Sequence, residues 1–143
     1  MDIDELLARQ EITELLTRYT RAIDTRTFDD LDDVFTAEAI LDYTTVGGPR
    51  EARDPVKAWL EKGLAGFDRF QHVLGQVQIT FDPAPGAPTA ARATAYFTNP
   101  MIGKNPDGTE TLWEFGGYYH HTLERTRDGW RSVALVEEIV WTR

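Results

Sequence analysis

Asp24 and His72 are the two side chains in this sequence whose types could together move a proton at neutral pH. A carboxylate hydrogen-bonded to one imidazole nitrogen fixes the ring, and the second nitrogen is then free to act as a base. Asp24 lies where the opening helix runs out, in Tyr19-Thr20-Arg21-Ala22-Ile23-Asp24-Thr25. There the negative end of the helix dipole favours Lys or Arg, so a carboxylate at that place needs another reason to be kept. His72 sits in an extended stretch with Phe70 and Leu74 on its own face, and an imidazole on an apolar face must find a hydrogen-bond partner. The structural alternative is a solvated Asp24 and a core histidine. Tyr19 lies on the apolar stripe of the first helix, as a core aromatic or as a pocket hydroxyl.

These residues must be positioned by a chain of 143 residues with a net charge of -9 and no cysteine. That length is one domain, 1–143, with a core that needs no staple. The missing cysteines exclude disulfides and thiolate zinc, and are compatible with a cytoplasmic location. The acidic balance argues against nucleic acid and against an anionic membrane surface as partners, and leaves a small neutral or apolar substrate. No apolar run approaches a membrane span, and the start Met1-Asp2-Ile3-Asp4-Glu5 lacks the basic residues of a signal peptide.

Ala8, Ile12, Leu15, Leu16, Tyr19 and Ile23 recur at three and four, which predicts an amphipathic helix from Asp4 to about Ile23. Thr27 reads as the N-cap of a short second helix with Phe28, Leu31, Val34 and Phe35 on its apolar side. A strand is expected over Ala39 to Val46, carrying Tyr43, and Asp54-Pro55 opens a third helix through Val56, Trp59, Leu60 and Leu64. The remainder reads as long strands. Phe70, His72 and Leu74 have one parity and Val77, Ile79 and Phe81 the other, so a bulge is expected near Gly75.

The strand after the Pro83 to Pro88 turn sets Ala91, Ala93, Ala95, Phe97, Asn99 and Met101 on one face, and the three alanines leave room above it. In the next strand Trp113, Phe115, Gly117, Tyr119, His121 and Leu123 form the greasier set. A slip at Gly116-Gly117 would exchange His121 for His120. Arg127-Asp128-Gly129 is a hairpin turn into a closing strand from Trp130 to Trp141. Helices first and long antiparallel strands after them predict an α+β fold, a cone with helices packed on a strongly curved sheet around one pocket. Trp113, Trp130 and Trp141 provide apolar surface for a homodimer or homotrimer. Asp24, His72 and His121 are also a possible two-histidine, one-carboxylate set, but a base bonded to its orienting carboxylate is the simpler use of them, so neither metal nor cofactor is expected.

Taken in order, Tyr19 to Asp24, Phe28-Asp29-Asp30-Leu31, Ile40-Leu41-Asp42-Tyr43, Phe70 to Gly75, Gly117-Tyr118-Tyr119 and Arg125 to Trp130 resemble the nuclear-transport-factor-2-like superfamily. Within it they are most similar to the SnoaL-like, scytalone dehydratase-like group, over essentially the whole chain. The resemblance implies a cone-shaped α+β barrel and a cofactor-independent lyase, a dehydratase acting on a small hydroxylated cyclic or polyketide-like carbonyl compound. In that family the helix-end Asp orients the strand His, which removes a proton beside a carbonyl. Carried over, Asp24, His72 and Tyr19 are the catalytic residues, and Tyr43 helps polarise the carbonyl. Asn99, Met101, Tyr119 and His121 complete the expected substrate-binding set. Asn99, Met101 and Val140 stand where relatives have an acidic residue, a second histidine and an arginine, which leaves an isomerase, a cyclase or a non-catalytic small-molecule-binding protein as alternatives.

Overall fold

The computed structural model describes residues 1–143. Helix α1, Ile3–Asp24, starts where the Asp2 carboxylate accepts the Glu5 N–H at 2.9 Å, with Asp4 and Glu5 in the first turn as the helix dipole favours. Its buried face, Ala8, Ile12, Leu15, Leu16, Tyr19 and Ile23, is the stripe expected from the sequence. It ends in paired capping bonds, Arg26 N–H to Ile23 O at 3.0 Å and Thr27 N–H to Ala22 O at 2.9 Å. Glycine usually takes the left-handed residue of this motif, yet here Arg26 holds it at φ 57°. Its guanidinium donates to the carbonyls of Leu64 at 2.9 Å and Phe67 at 2.8 Å and lies 4.7 Å from the centre of the Phe70 ring. Those contacts offset a conformational cost of about 1 kcal/mol.

Three boundaries differ from expectation. Phe28–Asp33 forms a 3-10 turn, and Thr27 bonds Thr25 across 2.7 Å instead of capping it. Strand β1 is Phe35–Asp42, earlier than expected, because the Asp42 carboxylate accepts both the N–H and the hydroxyl of Thr44 and turns the chain out of the sheet. Tyr43 thus stands at the end of the strand, ahead of a 3-10 turn at Thr44–Val46. After β2, Arg50–Ala52, helix α2 covers Arg53–Leu64, and Asp54 pairs with the Arg53 guanidinium at 2.9 Å instead of capping the helix.

The remaining strands are β3, Arg69–Phe70; β4, Val73–Phe81; β5, Ala90–Lys104; β6, Glu110–Thr126; and β7, Gly129–Thr142. All seven join one curved sheet in the order β2-β1-β7-β6-β5-β3, with β4 also paired to β5. The β1–β7 pairing is parallel and every other is antiparallel; the sheet stays open, since β2 and β3 do not meet. The helices followed by this curved sheet are the α+β cone expected from the sequence.

Between Leu74 and Val77 the β4–β5 register shifts, the bulge anticipated near Gly75. Another shift falls at Gly116/Gly117 without turning His121 outward. His121 is buried, while His120 faces the other way, toward Thr94 at 2.9 Å and Glu138 at 3.3 Å. Ala91, Ala93 and Ala95 belong to the main hydrophobic cluster with α1, so the room they leave is filled by core. Trp113 and Trp141 are exposed, but Trp130 is buried 6.1 Å from the Phe81 ring and contributes no outer surface. No helix is long and apolar enough to cross a membrane.

Candidate active site

Asp24 is the last residue of α1, and His72 occupies the gap between β3 and β4. The gap leaves the His72 N–H out of the sheet ladder, and it donates to Asp24 Oδ2 at 2.8 Å. Asp24 Oδ1 meets His72 Nδ1 at 2.6 Å. One carboxylate therefore fixes both the backbone and the ring, with Nδ1 as the donor when Asp24 is ionised, and Nε2 is left for chemistry. The His72 side chain is only 4% exposed.

His72 forms part of the wall of a cavity of about 210 Å³ between the helices and the concave sheet face. Ile23 comes from α1, Trp59, Leu60 and Leu64 from α2, Phe97 and Met101 from β5, Phe115 from β6, and Ile139 from β7. These walls suit an apolar ligand. The polar groups in them are Tyr19, Tyr43, His72, Asn99, Tyr119 and Glu137.

Tyr19 and Tyr43 hydrogen-bond to each other through their hydroxyls. Burial pushes both phenols, and that of Tyr119, well above the ordinary tyrosine range, so all three stay protonated. The Tyr119 ring stacks on Phe97 at 4.0 Å and lies 6.2 Å from the His72 ring, centre to centre. Asn99 is buried and its Oδ1 has no partner.

His121 is placed elsewhere. It lies behind the Tyr19 ring at 5.7 Å and on the Phe35 ring at 5.9 Å, outside the cavity wall. The Ser132 hydroxyl donates to Ala134 O at 3.0 Å, so His121 Nδ1, 2.9 Å away, is the donor to Ser132 and Nε2 is an unpartnered acceptor. Burial pushes its pKa down to about 3 and keeps it neutral. Asp24, His72 and His121 do not converge on one point that could hold a metal ion.

Glu137 is the residue that sequence reasoning missed. Strand β7 begins with Trp130 and Ser132 inward, and on that parity Glu137 would face out. The β6–β7 register then shifts between Thr122 and Leu123, adding one residue to β7 and turning Leu135, Glu137 and Ile139 inward. Glu137 is 9% exposed, directly opposite Tyr119 across the strands, with Oε1 unpartnered. Burial raises its pKa to about 7, against a smaller opposing effect of the Tyr119 hydroxyl.

The folded state therefore holds this proton up to about pH 7, the unfolded chain only to about 4.5. The group's contribution to stability is complete below about 4.5 and is lost as pH rises through 7, a change of about 3 kcal/mol. Glu137→Gln should then match the wild type in urea unfolding near pH 4 and exceed it by that order near pH 8. Parallel stability curves at both pH values would show that Glu137 ionises freely in the fold.

The SnoaL-like domain profile matches residues 4–136. Over 137 residues the chain is 36% identical to the uncharacterized proteins Rv2910c of Mycobacterium tuberculosis and Mb2934c of Mycobacterium bovis, covering 96% of this chain and 88% of each of theirs. Among solved structures it resembles Kfla4162 of Kribbella flavida, with TM-score 0.85, 23% identity, and 97% and 95% of the two chains covered. A provisionally assigned scytalone dehydratase of Novosphingobium aromaticivorans also superposes with TM-score 0.85, at 17% identity over 100% of this chain and 91% of that one. The hexachlorocyclohexane dehydrochlorinase LinA-type3 of Novosphingobium barchaimii gives 0.79, at 16% identity over 100% and 93%. With the profile match spanning almost its whole length, the chain belongs to the SnoaL-like domain family.

Proposed function

We propose that the protein is a cofactor-independent lyase that removes water from a small, largely apolar hydroxy ketone. The observation that carries this is the dyad: Asp24 holds His72 by ring and backbone at 2.6 and 2.8 Å, on the wall of an apolar cavity. Pure binding does not require a base held in one tautomer. Two structural neighbours carry names for eliminations, a dehydratase and a dehydrochlorinase.

In this proposal His72 Nε2 takes the proton from the carbon beside the ketone, and Asp24 stabilises the imidazolium that forms. The Tyr19–Tyr43 pair keeps two protons but needs only one between its oxygens, so the other is available to the developing enolate oxygen. The enolate then expels the hydroxyl from the next carbon. An isomerase or cyclase would use the same first step without losing water. Incubation with a panel of cyclic β-hydroxy ketones, read by the absorbance of the conjugated product, is the test. Tight binding of these compounds with no turnover of any would favour a carrier instead.

We also propose self-association through the outer sheet face. Tyr96, Val136, Val140 and Trp141 are 40 to 56% exposed there, an apolar patch that a second copy of this chain would cover as a homodimer or homotrimer. Sedimentation at micromolar concentration should show the assembly, and Val136→Lys should dissolve it. A wild-type protein that sediments only as monomer removes the claim.

A further inference from the structure

Losing water from a β-hydroxy ketone needs two proton movements, and the dyad provides one. Hydroxide leaves carbon poorly at neutral pH, so the departing oxygen needs a proton as its bond breaks. The three buried tyrosines hold their protons too firmly for that task. We propose that Glu137 is the general acid of the reaction, giving its carboxyl proton to the hydroxyl that leaves. This inference rests on the lyase reading above and extends it to the leaving group, so that the substrate class is an alcohol β to a ketone.

The geometry supports it in three ways. Glu137 lies in the cavity wall, nearly buried, with Oε1 unpartnered. Its cross-strand neighbour is Tyr119, whose ring lies next to that of His72, which sets acid and base in the wall on either side of one residue. The titratable groups of the wall that act on it are Tyr119 from β6, Tyr43 after β1 and Tyr19 from α1, and His72 from the β3–β4 link lines the same cavity; no Lys or Arg does. An ionised carboxylate in such a wall lacks a cation, so the carboxylic acid is the favoured form, in keeping with its raised pKa.

The step balances without a co-reactant. His72 Nε2 accepts the proton from carbon, that electron pair becomes the new C=C bond, the C–O bond breaks, and the oxygen leaves as water with the Glu137 proton. Between turnovers His72 returns one proton to solvent and Glu137 takes one up.

The test uses the full chain with 3-hydroxy-1-indanone, which can lose water, and 1-indanone, which can only exchange the hydrogens beside its ketone. The wild type should dehydrate the first and exchange deuterium into the second. Glu137→Gln should lose about 10² to 10⁴ in dehydration while exchange is retained, and His72→Ala should lose both. Wild-type dehydration should decline above about pH 7, where Glu137 gives up its proton. Glu137→Asp should keep that decline at a lower rate, and the residual rate of Glu137→Gln should lack it. Dehydration by Glu137→Gln at the wild-type rate overturns the inference and leaves the dyad standing. So does equal loss of exchange, which would make Glu137 a carbonyl contact or a structural group. A wild type inert toward both ketones overturns the lyase reading and this inference together. Should the glutamine variant fail to fold, the wild-type profile decides alone, and an undiminished rate to pH 9 overturns the assignment.

Discussion

His72→Ala is expected to lower turnover of a β-hydroxy ketone by about 10² to 10⁴, with little change in the affinity for a non-reacting analogue. In the proposed reaction the imidazole takes a proton that moves in the transition state, so its loss should fall on kcat more than on KM. Asp24→Asn should be nearly as damaging for a different reason. The amide is close to isosteric and can still accept the His72 N–H now held at 2.8 Å, so the backbone arrangement survives. Facing Nδ1 at 2.6 Å, however, it no longer brings the charge that stabilises an imidazolium and selects the tautomer. Circular dichroism should show both variants folded. Near-native rates in both would make His72 a core histidine and Asp24 its structural partner.

Gly117→Ala is expected to cost about 3 kcal/mol or more of folding stability. A methyl group built on Gly117 would lie 1.9 Å from the carbonyl oxygen of Glu138 and 3.0 Å from the Ile139 Cα, and both are backbone of the neighbouring strand. Neither can swing aside, because β7 is paired to β6 on both sides of this point. Gly116→Ala is the control. Its methyl group would meet the indole of Trp141 at 2.0 Å, but that side chain is 40% exposed and free to rotate away, so the loss should be nearer 1 kcal/mol. Urea unfolding of the two variants decides the order. Equal midpoints would mean that β7 shifts easily over β6.

Much of the fold could be read from the sequence because its periodicities are clean. The stripe from Ala8 to Ile23 and the alternation from Ala91 to Met101 each match one buried face of the structure. Asp24 was visible as a carboxylate at the wrong end of a helix, and His72 as a polar residue of apolar parity; the structure shows each as the partner of the other. Glu137 was hidden because a single extra residue in β7 reverses its parity. From Val133 to Trp141 each parity carries one glutamate among otherwise apolar residues, so no clean alternation marks the reversal. The early end of β1 was hidden for a local reason, since an Asp42 side chain that captures Thr44 leaves no periodic trace.

Arg26 has a bearing on how such a protein diversifies. It grips the end of α2 and the link that follows by two backbone carbonyl oxygens, those of Leu64 and Phe67, and packs on the Phe70 ring beyond them. The side chains that α2 and this link send into the cavity wall are also packed, Trp59 on Tyr43, Phe67 on Trp113 and Leu60 in the main hydrophobic cluster, so the grip of Arg26 is one hold among several. The dyad is fastened separately, through α1 and the β3–β4 gap. Substitutions in the α2 side of the wall therefore need not disturb the hydrogen bonds between Asp24 and His72.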